Sequence, residues 1–89
     1  EEAFPMGLVD VLADDDVVRE TLALAATIAE NAPLAIATAR FAIEQVQKEP
    51  DRRDLAAMAQ YTRRCMDSAD FREGRLAFTE KRKPVFTGA

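Results

Sequence analysis

Three of the prolines do most to limit what this chain can fold into. Pro33, Pro50 and Pro84 stand at the edges of stretches whose apolar residues recur every three or four positions. Proline lacks a backbone N–H and disfavours helix at the residue before it, yet it fits the first turn of a helix. These marks bound the helices, and Ser68-Ala69-Asp70 punctuates the long stretch between Pro50 and Pro84. Asp14, Asp15 and Asp16 open the first, where carboxylates cap free N–H groups and suit the positive end of the helix dipole. Val18, Leu22, Ala25 and Ala29 follow at helical spacing, and Val17, Leu24 and Ile28 widen the stripe. A second helix is expected from about Pro33 to Lys48, striped by Ile36, Ala39, Ile43 and Val46. A third starts at Asp51 or a neighbour, with Leu55, Met58, Ala59, Thr62, Cys65 and Met66 on one face. A fourth runs from about Asp70 to Arg82. Ser68 or Asp70 caps it, and Glu73 lies at capping-box spacing from Asp70. Pro84 ends this helix and the tail over 85–89 runs out extended. Residues 6–12, MGLVDVL, read as a short extended piece with no partner strand. The expected fold class is thus all-α, with about four short helices and an N-terminal extended segment.

Hydrophobic residues make up 48% of the 89 positions, enough for a core, but seventeen of them are alanine, so that core is shallow. Helices are expected to pack through alanine-lined faces. Gly74, inside the fourth helix, costs about 1 kcal/mol against alanine, which suggests the close approach of another backbone. Arg52, Arg53, Arg63 and Arg64 point to solvent or a partner. Asp51, Asp54, Asp67 and Asp70 flank them, which argues against a nucleic-acid surface.

The residues present also exclude several chemistries. With one cysteine, Cys65, and no histidine, there is no internal disulfide, no Cys/His zinc site and none of the commonest general acid/base. Cys65 reads as a small half-buried helix residue. The consecutive acids at 14–16 point in different directions on a helix and read as caps, not as a metal site. No catalytic constellation or phosphate-cradling glycine loop is visible, so no catalytic or metal residue is assigned. No apolar run approaches the roughly 20 residues of a membrane span and no signal peptide is visible, so a cytoplasmic chain without a membrane partner is expected. The chain begins with Glu1 rather than Met, which suggests a cut, processed or expressed piece.

Charge is unevenly distributed. Residues 1–30 carry one arginine against eight acids, residues 31–71 six basic against six acidic side chains, and residues 72–89 five basic against two acidic. An acidic start and a basic end can attract each other within or between chains. The basic end also interleaves Phe78 and Phe86, which suits an anionic, flat partner. From the residues alone, the chain reads as a helical interaction module. One form of that reading is an independent adaptor or dimerisation module whose charged end binds an acidic partner.

The same residues carry a family resemblance. Gly7-Leu8-Val9, an acidic spacer, Ala29, Ala32-Pro33-Leu34-Ala35 and Arg40 lead to Ser68-Ala69-Asp70-Phe71-Arg72-Glu73-Gly74. Ala77-Phe78-Thr79-Glu80-Lys81-Arg82-Lys83-Pro84-Val85-Phe86 completes the series. This order, above all the SxDxxEGxxAFxEKRxPxF run, resembles the C-terminal region of the crotonase superfamily, the enoyl-CoA hydratase/isomerase enzymes. The resemblance covers about Gly7 to Phe86. It implies that residues 1–89 form a C-terminal helical domain used for subunit packing and for the CoA edge of the active site. The catalytic core would lie outside this chain, and the 89 residues alone would be inactive. It also implies an acyl-CoA substrate handled by the longer parent, a homo-oligomer, and no cofactor beyond the CoA of the substrate itself. The resemblance places CoA contacts at Phe78 and Lys81. These two are three apart on the expected fourth helix and so share a face, offering an aromatic surface to adenine and an ammonium to phosphate. Glu73 and Glu80 are expected to be structural acids, and Arg82 and Lys83 solvated or interface charges.

Overall fold

The computed structural model describes residues 1–89. It contains four helices and no strand: α1 (Val17–Ala29), α2 (Pro33–Val46), α3 (Leu55–Met66) and α4 (Ala69–Glu80), with one 3₁₀ turn (Pro50–Arg52) before α3. The all-α expectation holds at this level. Asp16 caps α1, its Oδ1 accepting from the N–H groups of Val18 and Arg19. Pro33 occupies the first turn of α2, as its fixed φ favours.

Several boundaries differ from the expected ones, each for a local reason. α2 stops at Val46, short of Lys48. Asp51 lies in the 3₁₀ turn, and α3 begins at Leu55 because the Asp54 carboxylate caps the Ala57 N–H at 2.8 Å. α4 is capped by Ser68, whose Oγ accepts from Phe71 N at 3.0 Å and donates to the Cys65 carbonyl at 2.6 Å. That one hydroxyl joins the end of α3 to the start of α4. Asp70 and Glu73 make no capping box, because both are engaged elsewhere. Residues 6–12 form no strand. The chain before Val9 is closed by backbone bonds from Phe4 N to Glu1 O, Gly7 N to Phe4 O and Leu8 N to Ala3 O.

α2 and α3 pack against each other most extensively. The Phe41 and Tyr61 rings stack with centroids 4.4 Å apart and planes 13° from parallel. Thr38 Oγ1 donates to the Leu34 carbonyl at 2.7 Å and lies 3.3 Å from the Tyr61 carbonyl on α3. The connection between the two helices is locked from inside. Gln45 is 4% exposed, and its Oε1 accepts from Asp54 N at 2.8 Å and Lys48 Nζ at 3.2 Å. Arg53 Nε donates to the Lys48 carbonyl at 3.2 Å, just past the end of α2, and its Nη2 lies 3.5 Å from the Val46 carbonyl.

The core is smaller than the composition suggested. Ala77, 1% exposed, is the single buried apolar residue, and its buried companions are the polar Gln45, Ser68 and Asp70. The molecule is a slab of 43 × 42 × 18 Å. α1 has no buried residue, and Val17, Val18, Leu22, Leu24 and Ile28 all lie open. The apolar stripe read from the sequence is present on α1, but nothing in the slab covers it. No helix is long and apolar enough to cross a membrane.

Candidate functional site

α4 carries the residues that define the main concavity. Phe71, Gly74 and Phe78 recur at three and four positions, so they lie along one face of the helix. Leu34 from α2 and Phe86 from the tail complete the apolar lining of a groove of about 510 Å³. Cys65, half-buried as expected, borders it at the end of α3. Arg75 is the one basic side chain at its edge. No three acidic or thiol side chains converge as metal ligands would.

The tail forms one wall because it folds back on α4. Asp70, in the first turn of α4 and 2% exposed, receives this return. Its Oδ1 accepts from Thr87 N at 2.7 Å and Thr87 Oγ1 at 3.3 Å, and its Oδ2 accepts from Gly88 N at 2.7 Å. Asp70 N donates in turn to the Ala89 carbonyl at 2.9 Å. The tail is therefore extended, as read, but docked. Phe86 lies on Gly74, where an added Cβ would stand 3.5 Å from the ring. The close neighbour expected at this glycine is an aromatic ring rather than a backbone, and the gap just admits a methyl group.

One turn further, Glu73 makes a second clamp. Its carboxylate takes a two-bond contact from the Arg82 guanidinium, at 2.6 and 2.9 Å, and accepts the Val85 N–H at 2.9 Å. Arg82 also donates to Glu80. The guanidinium first, and the Val85 N–H second, hold Glu73 down at about 2, below its ordinary 4.5. The same bonds raise Arg82 above its ordinary value. Glu73 and Glu80 are thus structural acids paired with an arginine. Arg82, expected to be a solvated or interface charge, is instead committed within the chain. Lys83 reaches Glu30 at 2.7 Å, an exposed link between the basic end and the acidic start.

The structure treats the two expected contact residues differently. Phe78 is 86% exposed and lines the groove. Lys81 is not on the helix. α4 ends at Glu80, and Lys81 takes the left-handed conformation at φ 53. Lys81 N bonds to the Phe78 carbonyl and Arg82 N to the Ala77 carbonyl, the paired bonds of a helix stop that usually has glycine at its left-handed position. The chain leaves the helix axis here, so Lys81 is an exposed residue at the turn rather than a member of Phe78's helical face. Sequence reading missed this stop because no glycine marks it. It missed the Glu73–Arg82 clamp because nine residues is not a helical-neighbour spacing, and it missed the docking role of Asp70 because its partners lie 17 and 18 residues away.

The enoyl-CoA hydratase/isomerase family matches residues 1–89. A probable enoyl-CoA hydratase of Rhodobacter capsulatus is 39% identical over 89 residues, covering 99% of this chain and 35% of that protein. A probable enoyl-CoA hydratase of Bacillus subtilis is 34% identical over 90 residues, covering 99% of this chain and 35% of its own length. Among solved structures, an enoyl-CoA hydratase from Mycobacterium tuberculosis superposes with a TM-score of 0.82 at 35% identity, over 98% of this chain and 35% of that one. One from Mycobacterium marinum gives 0.83 at 36% identity, again over 98% and 35%. The chain spans about a third of the length of the curated relatives it matches.

Proposed function

The chain belongs to the enoyl-CoA hydratase/isomerase family, and from that premise we propose that it is the C-terminal helical region of an enzyme that hydrates or isomerises enoyl-CoA thioesters. In this reading the uncovered apolar face of α1 packs on the rest of the enzyme or on a neighbouring subunit. Phe78 and Lys81 meet the nucleotide end of the acyl-CoA, adenine against the open ring and phosphate against the ammonium. The chemical step belongs to residues outside this stretch, and the 89 residues alone do not turn over substrate.

The observation that carries this reading is the backbone of Lys81. A non-glycine residue in the left-handed region costs roughly 1–2 kcal/mol, and Lys81 is the only one in the chain. The helix stop alone would be better served by glycine, and a phosphate contact made by the ammonium is a use that would offset the strain. Phe78, a large aromatic left 86% exposed one turn earlier, fits the same account.

The test uses the full-length enzyme. Lys81→Ala is expected to raise KM for a CoA thioester about 2–5-fold, the range of an exposed ion contact, while kcat changes little. The effect should shrink as salt rises. A thioester lacking the nucleotide part of CoA should be indifferent to the change. Lys81→Gly should show the same KM defect and yet be the more stable protein, by about 0.5–1 kcal/mol. Loss of kcat at unchanged KM, or equal damage on both thioesters, would overturn the CoA-edge role.

A further inference from the structure

The tail clasp is the feature of the molecule that neither the fold nor the binding edge yet explains. Asp70 is 2% exposed, and no lysine or arginine pairs with it. An acid in the first turn of a helix can satisfy the dipole from solvent. This one is instead desolvated and held by two backbone N–H groups and a hydroxyl, all from Thr87 and Gly88. A buried carboxylate is tolerated only when its oxygens are this fully hydrogen-bonded. The result is a fixed end for the tail. Glu73 fixes the near end through Val85 and Arg82. Phe86 is held between these two points, against Gly74, and lines the same groove as Phe78.

We propose that Asp70 is a positioning residue for ligand binding: by clasping Thr87 and Gly88 it keeps Phe86 on Gly74, so that the groove wall beside Phe78 is formed before a ligand arrives. This rests on the reading that Phe78 meets the nucleotide end of a CoA thioester. Ordering a loose tail at the moment of binding subtracts from affinity, and a tail already docked avoids that loss. The clasp acts on the edge of the site and not on the reacting carbonyl. Its removal therefore weakens ground state and transition state alike, raising KM and sparing kcat.

The experiment is steady-state kinetics of the full-length enzyme carrying Asp70→Asn or Thr87→Pro. Asparagine turns an amide N–H toward one of the tail's own N–H donors. Proline leaves Asp70 in place and removes both Thr87 donors, the N–H and the hydroxyl, leaving the Gly88 N–H, so it decides the matter if Asp70→Asn does not fold. Each substitution is expected to raise KM for an enoyl-CoA thioester about 3–10-fold with kcat within about twofold, as lost preorganisation predicts. Each should leave a thioester lacking the nucleotide unaffected, and should add nothing when Phe78→Ala is already present. Equal damage on both thioesters, or an additive effect with Phe78→Ala, would make the clasp merely structural and overturn the proposal. If Phe78→Ala raises KM but neither clasp variant does, the CoA-edge reading stands and the positioning role falls. If Phe78→Ala itself leaves KM unchanged, both fall together.

Discussion

α1 and α4 are helices of nearly equal length, 13 and 12 residues, each opened by a side-chain cap, yet they live in different environments. α1 carries the richer apolar stripe and buries no residue. α4 carries arginines, acids and a glycine, and buries Ala77 and Asp70. What separates them is not propensity but return contacts. α4 is tied to α3 by Ser68 and to the tail by Asp70 and Glu73. α1 is tied to the rest of the slab through the exposed Lys83–Glu30 pair, a kind of contact worth about 0.2–1 kcal/mol. Apolar surface stabilises only when something covers it, and the α1 stripe is uncovered.

That contrast can be broken most directly by substitution in the two helices. Ala77→Leu forces extra volume into the one fully buried apolar position and is expected to cost about 1–3 kcal/mol. Leu22→Ala removes a side chain that is 65% exposed and should fall within about 0.5 kcal/mol. Urea midpoints of the 89-residue chain check both. Equal shifts would mean that α1 is as well packed as α4.

A smaller effect, more telling about cooperativity, is expected at the caps. Ser68→Ala and Asp16→Ala each remove a capping oxygen worth about 1 kcal/mol. The loss at Ser68 should spread through α3 and α4, because the same hydroxyl binds both. The loss at Asp16 should stay within α1 as local fraying. Amide exchange read residue by residue separates these outcomes, and faster exchange in α4 after Asp16→Ala would erase the distinction.

The mildest change is expected at the tail clamp on acidification. Glu73 in the folded chain titrates at about 2 against an ordinary 4.5, so its folded-state pKa is lowered. A lowered carboxylate contributes stability that is fully present above about pH 4.5 and is lost as pH falls through about 2. Protection of the Val85 amide should fade over that window, and Glu73→Gln should remove the fading. Protection that is flat from pH 5 to the acid limit of about 2 would deny the clamp its electrostatic part.

Which stretches become helices follows from local signals along the chain. Pro33 at a first turn, Asp16, Asp54 and Ser68 at caps, and the 3.6-residue stripes act over four or five neighbouring positions, and such signals are written locally. The sequence also showed Phe78, Phe86 and the basic residues around them as a group, and through the SADFREG and AFTEKRKPVF runs it showed the family. The starts and stops slipped by one to four residues where two acids competed for a cap, as Asp51 and Asp54 did, or where a lysine took the left-handed place of a glycine. Which apolar residues lie inside was settled by the packing of the folded chain. It left the long stripe of α1 uncovered and buried the small Ala77, because burial depends on what returns to face a residue and not on the residue's own hydrophobicity. It likewise turned Asp70 and Glu73 from expected helix-start acids into clasps for the tail. Their partners lie 17, 18, 9 and 12 residues away, beyond any helical period, and a carboxylate takes whichever donors the folded chain brings within about 3 Å.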